Sequence, residues 1–454
     1  MSSTDIPDIF KAYDIRGLVD IELTPDFTFA TGAAFARFII QEREPGTIVI
    51  GEDMRPSSPD LADAFSAGVT SLGLDVIRIG LASTDMLYFA AGKLNMPGAM
   101  FTASHNPSEY NGIKLCLSGA KPIGKESGLL TIEHFVRSGS PVSFGNIGKE
   151  SSRNLLSDYV KHLKSLVDVS AIKKLKIVID AGNGMAGYTA PAIFEDLNLE
   201  VIPLYFELDG TFPNHEANPI DPKNLKDLQK AVKKHGADMG LAFDGDADRC
   251  FLVDENGATV NPSDLTALIA DRELKIHPGS SIIYNLISSR SVAEVIEENG
   301  GIALRSRVGH SYIKAMMAQS GAIFGGEHSG HFYFRDFWNA DSGAIAALHA
   351  IAALGNSKGT LSQLLQPYQR YFSSGELNSK VEDTQKSLHA IEEKYAEKKN
   401  VNLDHLDGLT VSGDTWWFNL RPSNTEPLLR LNVEAKDAGT MEKIKDEVLA
   451  TLRN

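Results

Sequence analysis

The chain has 454 residues, 43% hydrophobic and 23% charged, with a formal net charge of -15; at about 100 to 200 residues per domain this predicts three or four domains of an ordinary globular protein. The acidic balance argues against nucleic acid and against an anionic membrane as partners, because both are gripped by a basic face. An anionic small substrate needs a local cluster of Lys and Arg, whose short-range contacts outweigh distant charges screened beyond about 10 Å.

From the N-terminus, MSSTDIPDIFKAYDIRG lacks the apolar run of a signal peptide. Nothing later approaches the roughly 18 consecutive apolar residues of a membrane span, so a cytoplasmic location is expected. The first supersecondary unit reads TIVIGEDMRPSSP, DLADAFSAGVTSLG and LDVIRIG, a buried strand, an amphipathic helix and a second strand. That pattern packs as a parallel βαβ crossover. After MPGAMF comes TASHNPSEYNGIK, Thr102 to Lys114. Its Asn, Pro and small residues make a rigid loop with exposed backbone N–H groups, and Ser104 offers a hydroxyl as nucleophile or phosphoryl carrier. A serine in such a loop equally serves turn hydrogen bonds, and the segment alone supports both readings.

The stretch Ser138 to Asn154, SGSPVSFGNIGKESSRN, reads as a linker. A second βαβ unit follows in KIVIDAGNG, MAGYTAPAIFEDLN and LEVIPLYF. Between strand-like MGLAF and CFLVDENG lies DGDADR, with carboxylates at Asp244, Asp246 and Asp248 and small spacers between them. Three acids so close repel one another unless a hard cation joins them, which favours a metal loop over a solvated acidic turn. An EF-hand fails because its sixth position is Arg249 rather than Gly, and an aspartyl-nucleophile D-x-D-x-T site fails because Asp248 stands where Thr belongs. Arg249 suggests a cation meeting phosphate oxygens beside the metal. Cys116 and Cys250 each sit in an apolar run and read as buried reduced thiols.

DENGATVNPSD, Asp254 to Asp264, is a second break, and SIIYNLISSR, SVAEVIEENG and GIALRSRVG form a third βαβ unit. One long doubly wound sheet is the alternative to three similar domains, since periodicity does not assign borders. GGEHSGHFYF, Gly325 to Phe334, places Glu327 and Ser329 in a glycine-spaced loop able to meet sugar hydroxyls. His328 and His331 lack the companion ligands of a zinc site, and oxygen donors elsewhere favour magnesium. A helix is expected over Asp341 to Ala353, and LLQPYQRYFSSGELN then opens a different tail. The tail carries a charged helix near Lys386 to Lys399, a strand-like TVSGDTWWFNLRPSN, another at LLRLNVEAK and a closing helix from Met441, a small α+β domain. RPSNTEP, Arg421 to Pro427, puts a guanidinium beside Ser, Asn and Thr on a turn. By itself it is as readily a polar turn as a phosphate cradle.

Taken in order, TASHNP, DGDADR, GEHSGH and RPSNTEP, preceded by FKAYDIRG at Phe10 to Gly17, resemble the α-D-phosphohexomutase superfamily over nearly the whole chain. The variants are similar to the bacterial phosphomannomutase/phosphoglucomutase group; the phosphoglucosamine mutase group more often has a glycine-containing metal loop and an R-x-S-G-T-E final loop. The resemblance implies three similar mixed α/β domains with βαβ cores plus a C-terminal α+β domain around a central cleft, with expected borders at 1–150, 151–255, 256–368 and 369–454. It implies interconversion of hexose 1-phosphate and hexose 6-phosphate, of mannose or glucose, through a hexose 1,6-bisphosphate. Ser104 is then the phosphoserine, and Asp244, Asp246 and Asp248 hold Mg²⁺ together with the phosphate oxygen on Ser104. Glu327 and Ser329 hold the sugar, while Arg421, Ser423, Asn424 and Thr425 hold the phosphate that is not reacting. Tyr13, Arg16, His105, Lys114, Arg249, His310 and His331 match cleft-lining positions, with Lys114 and His310 as candidates to relay the hydroxyl proton. Where that group commonly has a Lys, near NLISSR, this chain has Ile287, which puts one contact in doubt. The expected partners are small phosphosugars, with the chain a monomer or weak dimer. A bisphosphate-forming kinase or phosphatase on the same fold is the rival enzyme, and a non-catalytic phosphosugar-binding protein the rival outside catalysis.

Overall fold

The computed structural model describes residues 8–139, 146–422 and 428–452. The chain divides into two compact units, one running to Pro262 and including Ser329–Leu364, the other made of Ser263–His328 and the chain from Leu365.

The first sheet is built from β1 (Ile15–Leu18), α1 (Pro25–Glu42), β2 (Thr47–Glu52), α2 (Ser58–Ser71), β3 (Asp75–Leu81), α3 (Thr84–Leu94), β4 (Gly98–Phe101), β5 (Tyr110–Leu117), β6 (Lys121–Pro122), α4 (Leu129–Ser138) and β7 (Glu150–Ser152). Its strand order is β1-β5-β4-β2-β3-β7, with β6 on β5. β2 and β3 pair in parallel, as the first crossover requires. Val49 and Ile50 are fully buried because helices cover the parallel part of such a sheet on both faces. Phe27, Phe35, Phe65 and Phe101 form the heart of this core. α1 and α2 pass backbone to backbone, and a Cβ at Gly68 would lie 2.1 Å from the carbonyl oxygen of Phe29. The segment read as a linker is in part structural: Glu150–Ser152 adds to the sheet edge as β7, parallel to β3. Three exposed polar residues carry no apolar alternation, so the backbone pairing had no sequence signal. Residues 140–145 of that segment lie outside the described residues.

Next come α5 (Leu156–Leu166), β8 (Leu175–Asp180), α6 (Ala186–Phe194), β9 (Leu199–Leu204), α7 (Lys226–His235), β10 (Met239–Phe243) and β11 (Cys250–Asp254). Their sheet runs β11-β10-β8-β9. β8 and β9 are parallel, while β10 and β11 form an antiparallel hairpin whose connection is the DGDADR segment. Among the described residues neither cysteine is in a disulfide, and both are buried, Cys116 on β5 and Cys250 on β11.

The third stretch contains α8 (Pro262–Ile276), β12 (Ser281–Asn285), α9 (Arg290–Glu298), β13 (Ile302–Ser306), α10 (His310–Ser320) and β14 (Phe324–Gly326), with β12 parallel to both β13 and β14. Back in the first unit, β15 (Phe332–Phe334) and β16 (Ala340–Asp341) pair antiparallel and lead into α11 (Gly343–Gly355) and α12 (Leu361–Leu365). The helix expected from Asp341 starts two residues later, because Ser342 is its N-cap and accepts a hydrogen bond from the Ile345 N–H at 3.2 Å.

The tail comprises β17 (Phe372–Lys380), α13 (Thr384–Ala396), β18 (Asn402–Asp404), β19 (Leu409–Ser412), β20 (Trp416–Pro422), β21 (Leu428–Ala435) and α14 (Ala438–Leu452). Its antiparallel sheet runs β17-β21-β20-β19-β18, with Tyr395, Phe418, Val433 and Val448 in the core beneath the helices. TVSGDTWWFNLRPSN, read as one strand, is two: Gly413, Asp414 and Thr415 turn the chain, and the Gly413 N–H donates to Trp416 O at 2.9 Å. Gly and Asp are turn formers, and here they override the β-branched and aromatic run on either side. Separate sheets with their own helices replace the single doubly wound alternative.

Candidate active site

Ser104 lies in the connection between the antiparallel strands β4 and β5 and is 5% exposed. Its φ of 51° is left-handed, a conformation that costs a non-glycine residue of order 1 kcal/mol or more and persists only when its surroundings over-determine it. Arg55 does much of that work. It is 1% exposed, pairs with Asp53 through Nε at 3.2 Å and donates to the carbonyls of Ser104 (3.0 Å), Asn106 (2.7 Å), Pro107 (2.8 Å) and Tyr110 (3.0 Å). One guanidinium thus holds four carbonyls of the serine loop from below, and the Thr102 hydroxyl accepts from the Ser104 N–H at 3.0 Å.

The hairpin turn after β10 meets this loop. A Cβ at Gly245 would stand 2.3 Å from the Ser104 carbonyl oxygen, so the two backbones touch as only glycine allows. Ser104 Oγ donates to Asp244 Oδ2 at 3.0 Å and lies 3.3 Å from both Arg249 Nη2 and His105 Nδ1. Arg249 donates through Nε to Asp244 Oδ2 at 2.8 Å and through Nη2 to His105 Nδ1. Burial, with Arg249 and Arg16 adding to it, lowers the His105 imidazole well below its ordinary range, so that ring is neutral.

Asp244, Asp246 and Asp248 are all buried, and their carboxylate oxygens converge within 4.8 Å of one another. Lys114, reaching in from β5, donates to Asp246 Oδ2 at 2.6 Å and to Asp248 Oδ2 at 2.8 Å, and Thr84 at the start of α3 donates to Asp246 Oδ2 at 2.6 Å. Burial disfavours the Lys114 ammonium, but these two carboxylates outweigh it and hold the group protonated well above its ordinary range. Burial likewise acts against the Asp246 carboxylate, and Lys114 with Thr84 reverses the sign and keeps it ionised. Asp244 goes the other way: burial, and after it the neighbouring carboxylates, raise it against the pull of Arg249. Asp246 and Asp248 each retain a buried oxygen, Oδ1, that accepts no hydrogen bond among the described residues. Buried carboxylate oxygens without donors are costly, and a hard divalent cation satisfies them. The three residues therefore fit an oxygen-ligated metal.

The 329–331 stretch zips against the same hairpin: the Cys250 N–H donates to Gly330 O at 3.2 Å, and Arg249 bridges His331. Ser329 Oγ sits 2.9 Å from His331 Nδ1, and His331 Nε2 lies 3.6 Å from Asp248 Oδ1, with Asp341 completing a second convergence of potential ligands. Pairing of β1 with β5, with Arg16 opposite Gly112, brings the N-terminal motif alongside. Arg16 donates to Asn106 Oδ1 at 2.7 Å, and half-buried Tyr13 sits in the turn before β1. The first unit therefore gathers Arg16, Ser104, His105, Lys114, the three aspartates, Arg249, Ser329 and His331, drawn from segments far apart in sequence.

In the second unit, Glu327 follows β14 and is 2% exposed; its Oε1 accepts from the Gly309 N–H at 3.0 Å and Asn285 Nδ2 at 3.4 Å. The carboxylate thereby lies at the N-terminus of α10, whose first residue is His310. Arg421, on β20, donates through Nη2 to Glu376 Oε2 at 3.0 Å. Ser423, Asn424 and Thr425 lie outside the described residues. Ile287 is 7% exposed and packs with Leu286, Trp417 and Val308, so an apolar cluster stands where the resemblance expects an ammonium. Sequence reading missed Asp53, Arg55, Thr84 and Glu376. The signal available for Arg55 was a charged pair directly after a parallel strand, where α/β sheets place their sites.

Comparisons with known proteins cover the same ground. Family descriptions of the phosphoglucomutase/phosphomannomutase alpha/beta/alpha domains I, II and III match residues 7–141, 157–257 and 261–371, and the description of the C-terminal domain matches 376–451. A protein of Xanthomonas campestris pv. campestris named for phosphohexose mutases is 40% identical over 447 residues, covering 98% of this chain and 99% of its own length. The phosphomannomutase of Escherichia coli strain K12 is 39% identical over 454 residues, covering 98% of each. Among solved structures, a phosphoglucomutase/phosphomannomutase family protein from Burkholderia thailandensis superposes with a TM-score of 0.89 at 31% identity, covering 98% of this chain and 97% of that one.

Proposed function

The chain belongs to the phosphoglucomutase/phosphomannomutase family, and from that premise we propose that it interconverts hexose 1-phosphate and hexose 6-phosphate, of mannose or glucose, through a phosphoserine at Ser104 and a hexose 1,6-bisphosphate. The observation that carries this reading is the setting of Ser104 Oγ, 3.0 Å from one of three buried, converging aspartates and 3.3 Å from the Arg249 guanidinium. A hydroxyl meant only for a turn has no need of a carboxylate triad and a buried arginine.

In the proposed half-reaction the free sugar hydroxyl, O6 or O1, attacks the phosphorus on Ser104. The bond from phosphorus to Oγ breaks as the bond to the sugar forms, and the hydroxyl proton passes to a base. Mg²⁺, held by Asp244, Asp246, Asp248 and an oxygen on Ser104, would neutralise phosphoryl charge. Arg249 Nη2 meets the charge that develops on Oγ as it leaves. Returning the phosphoryl from the other end of the turned bisphosphate restores phosphoserine. Lys114 and His310 are the proposed proton relays. Glu327 and Ser329 would take the sugar, and Arg421 with Ser423, Asn424 and Thr425 the phosphate that is not reacting. The reading places a cytoplasmic enzyme that works as monomer or weak dimer; among the described residues no helix is long and apolar enough to cross a membrane.

The test is Ser104→Ala assayed on glucose 1-phosphate with Mg²⁺ and catalytic glucose 1,6-bisphosphate. Isomer formation should fall by at least about 10³-fold, and intact mass of the resting wild type should include one phosphoryl group that the variant lacks. Near-native turnover would sink the phosphoserine, and release of free phosphate in place of isomer would make the protein a phosphatase.

A further inference from the structure

Thr84, the first residue of α3, is fully buried and grips Asp246 twice. Its N–H donates to the Asp246 carbonyl at 3.0 Å, and its hydroxyl donates to Asp246 Oδ2 at 2.6 Å. The helix does not need that hydroxyl, because Ser83 is the N-cap and accepts from the Met86 N–H at 3.3 Å. Lys114 fills the rest of the same side, donating to Oδ2 of Asp246 at 2.6 Å and to Oδ2 of Asp248 at 2.8 Å. Oδ1 of Asp246 and Oδ1 of Asp248 are buried and accept no hydrogen bond among the described residues. The turn that carries them is itself tied down: the Asp244 carbonyl accepts from the Ala247 N–H at 3.1 Å and the Gly245 carbonyl from the Met185 N–H at 2.9 Å, with Ala247 left-handed at φ 61°.

The donors therefore sort the oxygens. Asp246 and Asp248 each have one oxygen occupied by protein donors and one bare, so each offers a cation a single oxygen. Asp244 meets donors at both, Arg249 N–H at Oδ1 (3.1 Å) and Ser104 Oγ and Arg249 Nε at Oδ2 (3.0 and 2.8 Å). Divalent cations differ in what they require. Ca²⁺ takes roughly six to eight oxygens and readily uses both oxygens of one carboxylate, whereas Mg²⁺ takes about six in a strict octahedron and keeps several waters.

We propose that Thr84 is a positioning residue that sets the metal preference of the acidic loop: by occupying Asp246 Oδ2 it prevents bidentate coordination and so disfavours Ca²⁺ against Mg²⁺. This rests on the reading that Asp244, Asp246 and Asp248 hold a divalent cation, and it assigns the selectivity to a residue that is not a ligand. Lys114 shares the same oxygen, but its ammonium rides on a flexible four-carbon stem. Thr84 carries its hydroxyl directly on a β-branched Cβ, and its backbone bond to Asp246 fixes the distance.

The experiment is thermal unfolding of the full, chelator-treated chain titrated separately with MgCl₂ and CaCl₂ at matched ionic strength, which yields an apparent Kd for each ion. The proteins are the wild type, Thr84→Val, which keeps the shape and removes the donor, and Thr84→Ser, which keeps the donor. The ratio of the Ca²⁺ Kd to the Mg²⁺ Kd should fall by about ten-fold in Thr84→Val, the worth of one hydrogen bond to a charged group, and should hold its wild-type value in Thr84→Ser. Should Thr84→Val fail to fold, Thr84→Ala removes the same donor with less bulk and should lower the ratio likewise. A residue that merely supports α3 would lower the Tm of the ion-free Thr84→Val protein and leave the ratio unchanged. That result overturns the role of Thr84 alone, as does an equal fall in Thr84→Ser. No rise in the wild-type Tm with either ion overturns the metal reading and the proposal with it.

Discussion

Ser104 is held in a left-handed conformation by buried groups that grip its loop's backbone. Arg55 is chief among them, because it secures four loop carbonyls while its own charge is matched by Asp53 in a fully buried pair. Removing one partner of such a pair leaves the other charge buried, so Arg55→Ala should destabilise the protein by about 3 to 5 kcal/mol in urea titration, and activity should fall even at temperatures where the fold survives. Asp53→Asn, which keeps shape and a hydrogen-bond acceptor, should cost less. Gly245 is the complementary case. Alanine there meets the Ser104 carbonyl, and Gly245→Ala should cost about 1 to 3 kcal/mol while lowering kcat more than it changes KM, because the clash displaces the attacked group. The sequence signal at Arg55 was only a charged pair after a strand, and Gly245 was only a spacer in an acidic turn; both acquire meaning when two loops meet.

Among elements, α3 couples the acidic loop at residues 244–248 to its support. Thr84 bonds Asp246, and the next residue, Asp85, is buried and accepts from Tyr159 of α5 at 2.7 Å and Ser342, the N-cap of α11, at 2.6 Å. Burial dominates at Asp85 and pushes its carboxyl up to about 6, with the hydroxyl donors Ser342, Ser83 and Tyr159 opposing. A carboxyl raised in the folded state binds its proton more tightly there than in the unfolded chain. Its contribution is therefore complete at pH below its ordinary range and is lost as pH rises through about 6. The expected loss is at most about 3 kcal/mol, and Asp85→Asn should flatten the stability curve between pH 4 and pH 7 in denaturant titrations at fixed ionic strength. The three βαβ crossovers were legible because each is a local pattern of apolar strand, turn and amphipathic helix. β7 and the turn at Gly413 were not, since one is an exposed polar strand paired only through its backbone and the other interrupts a run of strand formers.

The whole molecule assembles the surroundings of the three aspartates out of remote parts. The β10–β11 hairpin supplies the carboxylates, β5 the lysine, α3 the threonine, and the 329–331 stretch a backbone seam and His331. If a divalent cation completes that assembly, Mg²⁺ should raise the Tm of chelator-treated wild type and leave that of Asp248→Asn unchanged, with activity abolished by chelation and restored by Mg²⁺; the shift follows RT ln(1 + [L]/Kd), about 2.7 kcal/mol at a hundred-fold excess. Sequence alone determined the family and the candidate groups: four short motifs carry the serine, the three acids, the Glu/Ser loop and the arginine, and motifs are local features of the chain. It also determined the α/β repeat, because hydrophobic periodicity is local. Only the tertiary structure decided which charges neutralise one another. Lys114 is committed to Asp246 and Asp248, Arg421 to Glu376 and Ile287 to an apolar cluster. Those pairings depend on distances between residues tens to hundreds of positions apart, and no pattern along the chain encodes a distance across it.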